Sequence, residues 1–149
     1  MNVSRIGYGA WALGGRGWGN HNEREARRAL ETCLDLGINF FDTAPVYGFG
    51  RSDQVLGEVL SGVRPDIVIG TKCGLVWNDS GQVRHDLSRT ALRRDLEASL
   101  MRLKTDYIDL YQVHWPDKRT PLEETMEELI GFQRSGIVRH IGVSNFSAQ

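Results

Sequence analysis

Asp42 in FFDTAPVYG, Tyr47 five residues on, Lys72 in IVIGTKC and His114 in YIDLYQVHW stand where apolar, β-type runs give out. A carboxylate, a phenol, an amine and an imidazole gathered at one rim of a parallel sheet would make a proton-transfer device. A phenol with an ordinary pKa of ~10 is a weak donor at neutral pH, and an ammonium that stabilises the phenolate makes its proton easier to give up. Lys72 can supply that charge to Tyr47, and Asp42 can hold Lys72 in place. His114 can orient a carbonyl oxygen and stabilise the charge developing on it. The reaction that fits such a set is carbonyl reduction. No protein side chain supplies a hydride, so a nicotinamide cofactor is expected.

Each residue also has a plainer reading. Asp42 could bond backbone amides at a strand end, and Lys72 could lay its stem on the sheet with its ammonium in water. Tyr47, beside Gly48 and Gly50, could be a loop aromatic, and His114 a buried histidine with its bonds satisfied. Against this, four independent accidents would have to choose the same edge of the sheet.

The elements that would place these residues follow from periodicity and cap signals. A first strand is expected over residues 5–10, followed by a glycine-rich loop over 14–19. Asn22 with Glu25 forms a capping-box pattern ahead of a helix whose Ala26, Ala29, Leu30, Cys33 and Leu34 share one face, closed by Gly37. A second strand spans 38–42, and a short helix over 53–60 has Ser52 as its cap. A third strand spans 67–71, and a loop contains Asn78, Asp79, Ser80 and Gly81. The helix opening at Ser88 carries Leu92, Leu96, Leu100 and Leu103 as one stripe. A fourth strand spans 107–113. Thr120 as a cap, Pro121 as a first-turn proline and Glu123 as a capping-box acid then signal a helix start, with Leu122, Met126, Leu129 and Ile130 inward. A fifth strand spans 137–143.

Strand plus helix recurs without a linker, so residues 1–149 are expected to form one α/β domain. Five strands and four helices permit a complete doubly wound sheet or about five-eighths of a (β/α)8 TIM barrel, which takes ~250 residues in full. The polar residues favour the partial barrel of about five parallel strands, because the carboxyl ends of all barrel strands converge on one mouth.

Composition excludes other classes. With 149 residues, 40% hydrophobic, 25% charged and a formal net charge of -1, the chain has no electrostatic pull toward nucleic acid or membrane. Its apolar runs are too short to span a bilayer and its N-terminus lacks the apolar core of a signal peptide, so a cytoplasmic address is expected. Cys33 and Cys73 form no C-x-x-C pair, and His21, His85, His114 and His140 offer no metal-ligand spacing. The series Gly7, Gly9, Gly14, Gly15, Gly17 and Gly19 raises a dinucleotide-binding reading. No six residues satisfy G-x-G-x-x-G, and the helix begins only near Glu23.

The segments FFDTAPVYGFGRSDQVLG, LEASLMRLKTDYIDLYQVHWPD and GIVRHIGVSNF resemble the aldo-keto reductase family, in its broad-specificity bacterial and plant branch, and SRIGYGAWALGG is similar to its first strand. The resemblance implies a (β/α)8 barrel that reduces aldehydes or ketones with NADPH, with Asp42, Tyr47, Lys72 and His114 as the catalytic tetrad and the tyrosine as general acid. Ser144 and Asn145 match the pair that binds the nicotinamide carboxamide. Trp11 and Trp115 fall where the family builds an apolar substrate wall, a structural role being the alternative for each. The implied partner is a small-molecule carbonyl compound, not nucleic acid or membrane.

Two departures, Ala10 for threonine and Asp53-Gln54 for a serine-glutamate pair, are expected to leave the relay untouched. This sequence has no counterpart of the family's strands six to eight. Self-association through the open edges of the first and fifth strands is therefore expected, with little activity alone. The alternative is an inactive fragment, or a reductase-derived binding module that pairs with another chain.

Overall fold

The computed structural model describes residues 1–15 and 22–147, so the glycine-rich loop expected over 14–19 falls largely outside them. In chain order the elements are β1 (Tyr8–Gly9), α1 (Glu23–Asp35), β2 (Phe40–Asp42), α2 (Arg51–Leu60), β3 (Val68–Cys73), β4 (Leu75–Trp77), β5 (Val83–His85), α3 (Arg89–Leu103), β6 (Ile108–Val113), α4 (Leu122–Ser135) and β7 (Val138–Val143). Tight 3-10 turns occupy Trp11–Gly14 and Ser61–Asp66.

Five strands form one parallel sheet in the order β1-β2-β3-β6-β7. Each joins beside its predecessor, whereas a doubly wound sheet reverses direction at a switch point. An order that never reverses is that of a barrel wall, and the chain is a five-stranded, four-helix arc of a (β/α)8 barrel. Leu30, Val55, Leu56, Leu60, Ile69, Leu92, Leu96, Leu103, Val113 and Leu129 are buried in one core cluster shared by sheet and helices. Among the described residues no helix is long and apolar enough to cross a membrane.

Cap chemistry explains most boundaries. Asn22 Oδ1 accepts from the amides of Arg24 and Glu25, and Ser88 Oγ accepts from Ala91 N, satisfying donors that an uncapped first turn would orphan. Gly37 takes the left-handed conformation (φ 77°) that closes α1, its amide donating to Leu34 O.

Four expectations are corrected. Ser52 does not cap α2: the helix starts at Arg51, and the left-handed Gly50 (φ 94°) is its N-cap. Thr120 does not cap α4, because its hydroxyl donates to Asp117 Oδ2 and Pro121 takes the cap position. Leu122 is exposed and not inward, while Thr125 and Glu128 are buried on that helix in its place. The segment around Asn78–Gly81 is no simple loop but the turn of a β4–β5 antiparallel hairpin.

Candidate active site

Asp42 is the last residue of β2, Lys72 lies near the end of β3, and His114 directly follows β6. Parallel register therefore brings them to one end of the sheet. Lys72 Nζ donates to Asp42 Oδ2 at 2.7 Å and to Thr43 O at 2.9 Å. With a side chain only 8% exposed, Lys72 is not a solvated rim lysine, and its charge is matched by the adjacent carboxylate. Gln112 approaches the other Asp42 oxygen at 3.5 Å.

Tyr47 sits among these groups. Its ring lies edge-on to the His114 imidazole, 5.8 Å between centroids, and stacks on Trp11 at 5.9 Å, while Lys72 Nζ stands 5.4 Å from its centroid. The four residues are thus brought together, and Trp11, Val46, Tyr47, Leu75, His114, Trp115 and Asn145 line one open cavity of about 410 Å³. Ser144 and Asn145 follow β7. Asn145 Nδ2 donates to His114 O at 2.8 Å and to Ser144 Oγ at 3.0 Å, tying the end of β7 to the residue after β6.

Electrostatics sharpens two roles and revises one. Burial, helped by the charge of Lys72 and by His85, pushes His114 down to about 4, so its imidazole is neutral at neutral pH. Tyr47 is raised above its ordinary value, first by burial and then by the negative charge of Asp42. The expected acidification of the phenol by Lys72 is therefore absent in this arrangement, where the ammonium is hydrogen-bonded to Asp42 and Thr43 O instead.

The His114 shift has a consequence for stability. A histidine whose folded pKa lies below its unfolded value of ~6.5 contributes stability that is full above that value and is lost as pH falls toward about 4. The expected loss is roughly 2 kcal/mol after allowing for solvent screening. Urea unfolding at neutral pH and near pH ~4.5 should show a smaller difference between the two for His114→Gln than for the unsubstituted chain; equal differences would contradict this account.

Sequence reasoning missed Thr43, Gln112, Val46 and Leu75. Thr43 was readable only as the neighbour of Asp42, and Gln112 only as a polar residue inside an apolar strand. Leu75 reaches the cavity because the unforeseen hairpin folds back over the sheet end, where His85 Nδ1 lies 2.9 Å from Pro116 O.

A search against known families matches residues 5–149 to the profile described as Aldo/keto reductase family. The chain belongs to the aldo/keto reductase family. Among relatives, aldo-keto reductase YhdN of Bacillus subtilis (strain 168) is 44% identical over 151 residues, covering 100% of this chain and 45% of its own length. Among solved aldo-keto reductases, the glycerol dehydrogenase AKR11B4 from Gluconobacter oxydans superposes with a TM-score of 0.90 at 40% identity, covering 99% of this chain and 46% of that one. An aldo/keto reductase from Klebsiella pneumoniae, solved in complex with NADP and acetate, gives 0.81 at 32% identity, with 98% and 47% covered. The chain spans about half the length of these family members.

Proposed function

We propose that this chain supplies the acid-base side of a nicotinamide-dependent reduction of aldehydes or ketones to alcohols, with NADPH as the hydride donor. One observation carries the reading: a buried ammonium, Lys72, is bonded to Asp42 and faces the ring of Tyr47, which lines one cavity together with His114.

The residues present fit the cofactor. Ser144 and Asn145 offer a hydroxyl and a side-chain amide, and Asn145 borders the same cavity as Tyr47, which suits a carboxamide needing both donor and acceptor. NADPH, when bound, supplies the hydride that a side chain cannot. His114, as a neutral imidazole, donates a hydrogen bond that orients the substrate oxygen. Tyr47 gives its hydroxyl proton to that oxygen as negative charge builds on it. The raised proton affinity of the phenol is no obstacle, because an alkoxide is a far stronger base than a phenolate; it keeps Tyr47 protonated until the transfer. The ammonium of Lys72, held in place by Asp42, stands beside the Tyr47 ring as the proton leaves. Trp11 and Trp115 form apolar walls for the remainder of the substrate. Support for the cofactor comes from the Klebsiella pneumoniae relative solved with NADP.

The test follows NADPH absorbance with small aliphatic and aromatic aldehydes. It uses the chain alone and the chain completed with the remaining length of YhdN. Aldehyde-dependent oxidation of NADPH by the completed protein, faster than with NADH, is expected. NADPH binding without any aldehyde-dependent oxidation would overturn the reading.

A further inference from the structure

Thr43, Ser52 and Asp53 lie directly behind the site with no solvent exposure. Ser52 Oγ donates to Ala10 O at 2.8 Å, Thr43 Oγ1 lies 2.9 Å from Ser52 Oγ, and Thr43 Oγ1 lies 2.9 Å from Asp53 Oδ1. The chain of contacts thus runs from the end of β2 through the first turn of α2 to the residue after β1. Its other end reaches the active site, because the carbonyl of Thr43 accepts from Lys72 Nζ.

Counting protons fixes the direction of this chain. A backbone carbonyl only accepts, so the Ser52 hydroxyl proton is committed to Ala10 O. The contact between Thr43 and Ser52 is then a hydrogen bond only if Thr43 donates. Thr43 has a single proton, so its contact with Asp53 is a hydrogen bond only if Asp53 carries one too. An ionised Asp53 would instead draw the Thr43 proton and leave two hydroxyl oxygens 2.9 Å apart with no proton between them. The cation facing Asp53 from α3 is Arg102, whose Nε stands 3.3 Å from Oδ2, longer than the ~2.7–2.9 Å of a strong charge-assisted bond. From β3 the facing charge is Lys72, and from β6 the nearby titratable group is Tyr111.

We propose that Asp53 is a positioning residue, held as a neutral carboxylic acid whose proton polarises the chain Asp53, Thr43, Ser52, Ala10 and thereby fixes the Thr43 carbonyl that orients Lys72. Burial raises the proton affinity of Asp53 more than Arg102, Thr43 and Lys72 lower it, in agreement with the proton count. Asp42 is the one carboxylate hydrogen-bonded to Lys72 among the described residues, and with Asp53 neutral the charge balancing the ammonium rests on Asp42. Asp53 thus acts on the relay through Thr43, contrary to the expectation that this departure leaves the relay untouched. Its importance for catalysis rests on the proposed role of Lys72; the proton on Asp53 and the geometry of Lys72 do not.

The experiment is NMR on the full chain, reading the Asp53 carboxyl carbon and the Lys72 ammonium nitrogen near neutral pH, so that neither readout depends on turnover. The Asp53 carboxyl is expected at the shift of a protonated acid. Asp53→Asn, whose amide can donate to Thr43 as the acid does, should leave the Lys72 resonance and the urea midpoint where they were. Asp53→Ala removes the donor and should displace the Lys72 resonance. A carboxylate shift for Asp53 would overturn the proposal, as would an Asn variant that perturbs Lys72 as much as the Ala variant. A destabilised Ala variant with Lys72 unmoved would reduce Asp53 to a structural role and equally overturn it. Should Asp53→Ala fail to fold, the unsubstituted carboxyl shift and the Asn variant still decide.

Discussion

Replacing Tyr47 with phenylalanine is expected to lower carbonyl reduction by about 10²- to 10⁴-fold, the usual worth of a positioned general acid, while NADPH binding persists. The substitution removes one oxygen and leaves the ring. Stacking on Trp11, the edge contact with His114 and the attraction of Lys72 for the ring face all survive it. A loss of turnover therefore reports the hydroxyl proton and not a collapsed pocket. The raised proton affinity of Tyr47 adds a second expectation. The tyrosine keeps its proton below its folded pKa, so the rate attributable to it should hold through neutral pH and fall only above pH ~10. Both are measured by single-turnover reduction in the barrel completed with the remaining length of YhdN. Unchanged turnover in Tyr47→Phe would remove the residue from the mechanism.

Asp42, Lys72 and His114 were legible because each is a polar group where an apolar strand ends, and Tyr47 because it follows in the loop after β2. Barrel topology converts that shared position in sequence into proximity in space. Strand order decided between two architectures that periodicity alone could not separate, since both repeat strand plus helix. The β4–β5 hairpin was illegible for a physical reason: each strand has three residues, and Val83, Arg84 and His85 are all exposed, so no alternation marks them. Helix α2 misled because Ser52 looks like a cap by type but is drawn inward to bond Ala10 O and Thr43, leaving the cap to Gly50. The chain behind Lys72 was hidden likewise. An aspartate one residue after a serine reads as first-turn helix chemistry, and only tertiary packing shows that Asp53 is buried against Thr43 and Arg102.

At the opposite end of the strands, Asp109→Ala is expected to cost about 3–5 kcal/mol of stability, far more than removal of any surface ion pair. In YIDLYQVHW this aspartate interrupts an apolar strand, and the structure shows what it answers. Asp109, 2% exposed, accepts from Arg64 Nη2 at 2.6 Å and Ile69 N at 3.0 Å through one oxygen, and from Arg139 Nη1 at 3.0 Å through the other. The guanidinium groups of Arg64 and Arg139 also lie 4.0 and 3.9 Å from the centroid of the Tyr107 ring. One carboxylate thereby ties β3, β6, β7 and the turn before β3. Arg139 is half exposed and can recover water when Asp109 is lost, but Arg64 is only 7% exposed and would be left as a buried, uncompensated charge. Its bonds to Thr105 Oγ1, Ile67 O and Tyr107 O offset part of that cost but supply no negative charge. Asp109→Asn keeps an acceptor for the Ile69 amide and should fall between the two. Glu127→Ala, which breaks an exposed pair with Arg89, should change stability by less than ~1 kcal/mol. Urea midpoints for the three variants decide the matter: if Asp109→Ala costs no more than Glu127→Ala, the charge cluster does not hold the floor of the sheet together.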